Sequence, residues 1–388
     1  MHRITPALRD YAWGTTDDIP RLLGIDPTGG PVAEAWWGGH RDAPSLANVG
    51  GDLIGLDSLI AADRDSWLGT DAASRWDGRL PFLLKVLAIA RPLSIQVHPD
   101  LEQARAGFER ERTRDSDAPR DFHDAWHKPE MVVALTPMTV LAGVRPIDDL
   151  RADLDALGTA GAARLAAALS GDVSDFISLA LTGGGDEETL AALAARGRSA
   201  PAGSSLRVSA DALGEFPGDA GALVALALNV VQLRPGDAAY TGAGVLHSYQ
   251  SGVGIEVMAN SDNVVRAGLT PKHVDVPLLL ELASTSPAPV ARPQVMQDGP
   301  VTTYLTQSDE FALTVVSDGR VEIPAGPRVA LVVEGEASIS CDDASERLAC
   351  GQAVVAGHSD GTMRVSGHGM TVIAHLPQSS PRLGAAVS

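Results

Sequence analysis

A mainly β fold is expected of this chain: two antiparallel β-barrel, or jelly-roll, units with an α-helical module inserted in the first. Three observations carry that expectation. Short β-like runs broken by turn signals fill residues 1–146 and return at 221–288. Between them, 147–220 is rich in alanine and leucine at helical spacing. After the proline-rich linker STSPAPVARP (Ser284–Pro293), the remainder of 289–388 is again short strands and turns.

Taken in order, the first helical candidate lies near Asp52–Leu68. RLPFLLKVLAIARPLSIQVHP then gives two β runs punctuated by Arg91-Pro92, and EMVVALTPMTVLAGV gives another pair around Thr136-Pro137. DDLRADLDALG, AARLAAALSG and DEETLAALAARG read as helices with glycine stops. Strands resume in ALNVVQLRPGDAAYTGAGVLHSYQSGVGIEVMA, with tight turns at Arg234-Pro235-Gly236-Asp237 and Gly242-Ala243-Gly244. FALTVVSDGRVEIPAG, RVALVVEGEASIS and QAVVAGHSDGTMRV supply the strands of the last unit.

The formal net charge of -19 argues against nucleic acid or an anionic membrane as partner. An anionic ligand would need a local pool of positive charge. The N-terminal MHRITPALRDYAWGT has no apolar signal core, and no run has the apolar length of a bilayer span. Two cysteines, Cys341 and Cys350, cannot build a disulfide framework, so a cytoplasmic protein is expected. They flank an expected hairpin, where they could face each other as reduced packing residues.

Of the 30 basic residues only three are lysine: Lys85, Lys128 and Lys272. Arginine does the ordinary surface work, so a retained lysine suggests a compact cation or one able to give up its proton. Each lies beside candidate ligands or acids. Gln96 and His98 are two apart in a β-like run and share a face. Glu130 opens a later strand, and His247 follows the glycine-rich turn beyond the helical module. Imidazole and carboxylate with open positions suit a catalytic divalent ion, zinc first. A hydrogen-bonded structural histidine is the plain alternative for either one. The stretch GDAAYTGAGVLH (Gly236–His247) resembles the second sequence motif of the cupin superfamily, departing from it at Gly242, where that motif carries proline.

PLSIQVHPD, HKPEM and IEVMANSDNVVRAGLTPKHVDV together resemble the type I phosphomannose isomerases, and YAWG (Tyr11–Gly14) and AEAWWGGH (Ala33–His40) look like N-terminal signatures of that family. The match spans residues 1–290 in order. It implies a cupin catalytic domain with a helical insert and a second, C-terminal cupin. It also implies one zinc ion per chain, held by Gln96, His98, Glu130 and His247. The implied reaction interconverts mannose 6-phosphate and fructose 6-phosphate through a cis-enediol(ate), in a cytoplasmic monomer whose partner is a small sugar phosphate. In the C-terminal unit, His358, His368 and His375 lack a ligand pattern and read as surface or structural residues.

Roles within the site follow from chemistry. Arg266 is a fixed cation for enediolate or phosphate charge. The base is contested between Glu256, a carboxylate that desolvation would make more basic, and Lys128, whose neutral form a nearby metal and Arg266 would favour. Asp262 could assist ring opening with His98 as proton partner, or cap the turn before Asn263. Ser94, Lys85 and Lys272 are the phosphate candidates; the charge of Lys85 in the apolar run FLLKVLAIA demands a partner, which a dianion would provide. Trp36, Trp37 and Trp126 could line the cleft, with core packing the alternative. Competing functions are an isomerase of an unphosphorylated sugar, which makes the lysines redundant, and a sugar-binding cupin without turnover, which needs no acid–base inventory. A cupin dioxygenase is disfavoured by Gln96.

Overall fold

The computed structural model describes residues 1–114 and 119–378. Among them the strands form two sheets, of 10 and 11 strands, whose ladders are antiparallel. The first is organised by the 13-residue strand His247–Ala259. Phe82–Ile89 and Gln96–Val97 run along one side of it, and Glu130–Ala134 and Met138–Val144 along the other. Where Met138–Val144 turns in, Gly252 has φ +106°, and a Cβ there would lie 2.6 Å from Pro137 O, so the crossing requires glycine.

Side-chain alternation splits these strands between two environments. Phe82, Leu84, Val86, Ala88, Met131, Val133, Ile255 and Val257 enter a core shared with Phe311, Leu313, Val329, Leu331, Val372 and Ala374 of the second sheet. The two sheets are therefore packed face to face through one hydrophobic layer. The intervening positions Lys85, Glu130 and Glu256 point the other way, into the interior of the first sheet. A single buried strand thus carries core packing on even positions and chemistry on an odd one.

The N-terminal strand His2–Thr5 pairs with Ala353–Ala356, and the hairpin of Leu46–Val49 and Asp52–Gly55 joins the same sheet through it. Residues 1–146 therefore supply strands to both sheets. Between the paired strands Met138–Val144 and Leu228–Leu233 the chain passes through the helices Ile147–Leu157, Ala160–Ala167, Ser174–Leu179, Glu187–Ser199, Ser205–Glu215 and Gly221–Leu226. Thr159, Asp186 and Ser204 each accept a backbone N–H at a helix start. Helix extends to Leu226, past the alanine-rich texture.

Three local expectations differ. Asp52–Gly55 is strand, with helices following at Leu56–Ala62 and Arg64–Leu68. A helix at Leu101–Glu111 was not expected, although Asp100 and Gln103 form a capping box in which each side chain binds the other's backbone N–H. Cys341 and Cys350 do not face each other: Cys341 Sγ approaches the Met1 sulfur, whereas Cys350 Sγ donates to Val333 O. The register explains this, because Cys341 sits at the hairpin turn and Cys350 lies beyond the far end of the returning strand.

Candidate metal centre and active site

His98, Glu130 and His247 converge from three segments, with ligand atoms all within 4.8 Å of one another. His247 Nε2 lies 2.8 Å from Glu130 Oε1, and His98 Nε2 lies 3.3 Å from Glu130 Oε2. All three are almost wholly buried. Each imidazole is anchored through Nδ1 to a backbone carbonyl, His98 to Asn263 at 2.8 Å and His247 to Val245 at 2.9 Å. A carbonyl only accepts, so Nδ1 carries the proton and a neutral ring presents a bare lone pair at Nε2. Burial, then the Lys128 charge, pushes His98 down to about 4, so it is neutral near pH 7. Its Nε2 has no hydrogen-bond partner. Burial also opposes the Glu130 charge, but His247, His98 and Lys128 hold that carboxyl well below its ordinary range. Acceptors aimed at acceptors in a buried space fit a cation between them.

Gln96 is directly opposite His247 in the sheet. Its Nε2 donates to Ser94 Oγ at 3.1 Å, which leaves the amide oxygen available as a ligand. The strand here is only Gln96–Val97, with Ser94 and His98 just outside it. Even so, Ser94 and Gln96 line the same small cavity, together with Lys85, Lys128, Glu130, His247 and Glu256. Tyr249 Oη donates to Glu130 Oε1 at 3.2 Å. Burial keeps the Tyr249 phenol protonated, its pKa well above the ordinary value. Tyr249 was not singled out in the sequence; its parity with His247 in the same strand was the available signal.

Lys85 has its partners within the protein. Its Nζ is 3.0 Å from Glu256 Oε2 and 3.7 Å from Glu34 Oε2, and it sits 4.8 Å from the Trp36 ring centroid. Register dictates this, since Trp36 and Glu256 flank Lys85 directly on the two neighbouring strands. Burial works to discharge Lys85, but Glu256 and Glu34 outweigh it and hold the ammonium charged. Glu256 is pushed up by burial against the pull of Lys85, with Glu130 and Glu34 adding to the rise. The partner that the sequence left to a dianion is thus a pair of carboxylates. Glu34 escaped notice because nothing in AEAWWGGH places it two strands from Glu256.

Lys128 lines the cavity with Nζ 3.8 Å from Glu130 Oε2. Asp262 lies outside the cavity lining; its carboxylate meets His40 Nε2 at 3.1 Å rather than His98. Burial opposes its charge, yet the His40 contact and the two lysines lower Asp262 to about 2. Arg266 pairs in register with Gln96 but is not part of the lining either. It is close enough to Lys272 to lower that lysine's pKa, ahead of burial. Two cations therefore adjoin on the Gln96 side. Of the tryptophans, Trp37 is core, Trp36 flanks Lys85, and Trp126 lies half-buried under Arg79 at 4.8 Å. In the second sheet, His375 Nε2 meets Thr314 Oγ1 at 2.9 Å and His368 is exposed beside Asp318, both away from any ligand cluster among the described residues.

The family model for the phosphomannose isomerase type I catalytic domain matches residues 1–147. Mannose-6-phosphate isomerase of Escherichia coli (strain K12) is 33% identical over 383 residues, covering 95% of this chain and 98% of that protein. The Homo sapiens mannose-6-phosphate isomerase is 36% identical over 319 residues, covering 73% of this chain and 72% of its own length. A crystal structure of a phosphomannose isomerase variant from Salmonella typhimurium superposes with TM-score 0.90 at 31% identity, over 97% of this chain and 100% of that one. A mannose 6-phosphate isomerase structure bound with zinc and yttrium superposes with TM-score 0.88, also at 31% identity and over the same shares of both chains. With sequence and fold both shared over nearly the full length, this chain belongs to the type I phosphomannose isomerase family, the mannose-6-phosphate isomerases.

Proposed function

We propose that this chain interconverts mannose 6-phosphate and fructose 6-phosphate by moving a proton between C2 and C1 through a cis-enediol(ate). In this reading the first sheet is a cupin barrel with the helices as its insert, and the second sheet is a further cupin. One zinc ion per chain is held by Gln96, His98, Glu130 and His247. The observation that carries the proposal is the bare, buried Nε2 of His98 facing an ionised Glu130 beside His247. Zinc bound there supplies Lewis-acid stabilisation to sugar oxygens.

The remaining work falls to side chains. Glu256 carries the C2–C1 proton: Lys85 fixes one of its oxygens, and burial makes it a stronger base than an exposed carboxylate. Lys128 faces the same space and offsets the charge that develops on the enediolate. Arg266 and Lys272 hold the phosphate, joined by Ser94 from the cavity lining. Lys85 acts on Glu256 and not on the phosphate. Asp262, tied to His40, assists ring opening at the rim. The protein works as a cytoplasmic monomer; among the described residues no helix is long and apolar enough to cross a membrane.

A coupled assay for fructose 6-phosphate tests the proposal, run with intact protein, with chelated protein and after zinc is restored. Activity should vanish with the metal and return with zinc. Full turnover by metal-free protein would remove the metal role. Turnover of free mannose equal to that of mannose 6-phosphate would favour the isomerase of an unphosphorylated sugar.

A further inference from the structure

The second sheet sends one buried acid into the neighbourhood of the candidate active site. Glu310 lies just before the strand Ala312–Ser317, and its Oε1 is 2.8 Å from His127 Nε2. Its other oxygen accepts from Ser308 Oγ. The Glu310 side chain is 10% exposed and borders a small cavity with Trp76, Arg79, Trp126 and Asn260. A carboxylate in such surroundings is costly unless paired, so losing one partner is costly even though the intact pair gains little over an apolar replacement. The better-attested use of such pairs is to specify one arrangement.

The histidine that Glu310 meets belongs to residues 126–130. Trp126 O accepts from Ser261 Oγ and from Asn263 Nδ2, at 3.0 and 2.7 Å. Pro129 O accepts from Ala259 N at 2.9 Å. Those anchors come from the end of the strand His247–Ala259 and the segment that follows it, and grip the backbone on either side of Lys128. The side chain between them, His127, has Glu310 as its only hydrogen-bond partner among the described residues. The next residues are Lys128, in the cavity, and Glu130, facing both histidines.

We propose that Glu310 is a positioning residue for the isomerase site: through His127 it seats the segment that carries Lys128 and Glu130, which gives the second sheet a part in the reaction. The inference rests on the reading of this cavity as the active site. A neighbouring contact supplies the control. Asp309 pairs with Arg75 at the surface of the same junction and, among the described residues, makes no hydrogen bond or ion pair with residues 126–130.

The experiment measures kcat, KM and bound zinc for Glu310→Gln, His127→Gln, the double variant and Asp309→Asn, each at a temperature where it is folded by circular dichroism. Glu310→Gln should lower kcat about tenfold with KM within about twofold, the signature of misplaced groups and not of lost substrate binding. The double variant should lose no more than His127→Gln alone, because both act along one path. Asp309→Asn should keep wild-type kcat. Wild-type kcat in Glu310→Gln, multiplicative losses in the double variant, or an equal loss in Asp309→Asn would each overturn the proposal. If Glu310→Gln does not accumulate folded, Glu310→Asp enters the same comparison with the same criteria. Failure of the underlying reading would look different, since wild-type protein itself would then not turn over mannose 6-phosphate.

Discussion

Removing the Lys85 ammonium should destabilise the fold in a pH-dependent way. Lys85→Met keeps the stem against Trp36 but leaves Glu256 and Glu34 buried without a cation. At an effective dielectric of about 20, the 3.0 and 3.7 Å pairs are worth roughly 5.5 and 4.5 kcal/mol of gross attraction. The net loss is smaller, because an unpaired carboxylate can protonate instead. From an ordinary value of 4.5, protonating one at pH 7 costs about 3.4 kcal/mol. The loss at pH 7 should therefore be about 3–5 kcal/mol, in the range for a broken buried pair. At pH 5 protonating Glu256 costs only about 0.7 kcal/mol, so the gap between variant and wild type should narrow on acidification. Urea unfolding followed by tryptophan fluorescence reads both values. Lys85→Met/Glu256→Gln should recover most of the loss at pH 7. A Lys85→Met penalty below about 1 kcal/mol at pH 7, or one unchanged at pH 5, would refute the assignment of Lys85 to the two carboxylates.

Three further outcomes are expected. Lys272→Met should raise KM for mannose 6-phosphate with kcat nearly unchanged, and steady-state kinetics over a salt series should show that the effect fades as salt screens the phosphate. Glu310 is held at about 2 against an ordinary 4.5 because the His127 and Ser308 contacts outweigh its burial. A depressed carboxyl stabilises the fold fully above 4.5 and loses that contribution as pH falls through 2. The stability gap between wild type and Glu310→Gln should thus be about 3 kcal/mol at pH 7 and about 1.5 at pH 3, by urea titration at each pH. Finally, Gly221 and Gly268 touch backbone to backbone, a Cβ on Gly268 lying 2.4 Å from Gly221 Cα at φ +120°. Gly268→Ala should lower Tm by several degrees, measured by calorimetry, and reduce kcat/KM by shifting Arg266 two residues upstream.

Much of the site was legible in order along the chain. Gln96 and His98 stand two apart, one in a short strand and one just past it, Glu130 opens the next, and His247 follows a glycine turn, so spacing and motif likeness select the ligand candidates before any contact is known. The helical run after Val144 and the strands on either side were equally readable from periodicity, because each depends on neighbours within one element. The helix at Leu101–Glu111 was readable too, through its capping box, and was missed.

Partnership was not legible, because it depends on register across strands distant in sequence. The charge of Lys85 is met within the protein because the Phe82–Ile89 strand lies between Glu34–Trp37 and His247–Ala259, each delivering a carboxylate. Asp262 turned to His40 and not to His98, whose Nδ1 was already taken by a main-chain carbonyl. The first strand of the chain paired with one near its end. The sequence alone determined which chemical groups are present and on which strand faces they lie, since alternation is a local rule. Only the tertiary structure decided which charges neutralise each other, because in a buried site that depends on distances of 3–4 Å between segments that local sequence does not relate.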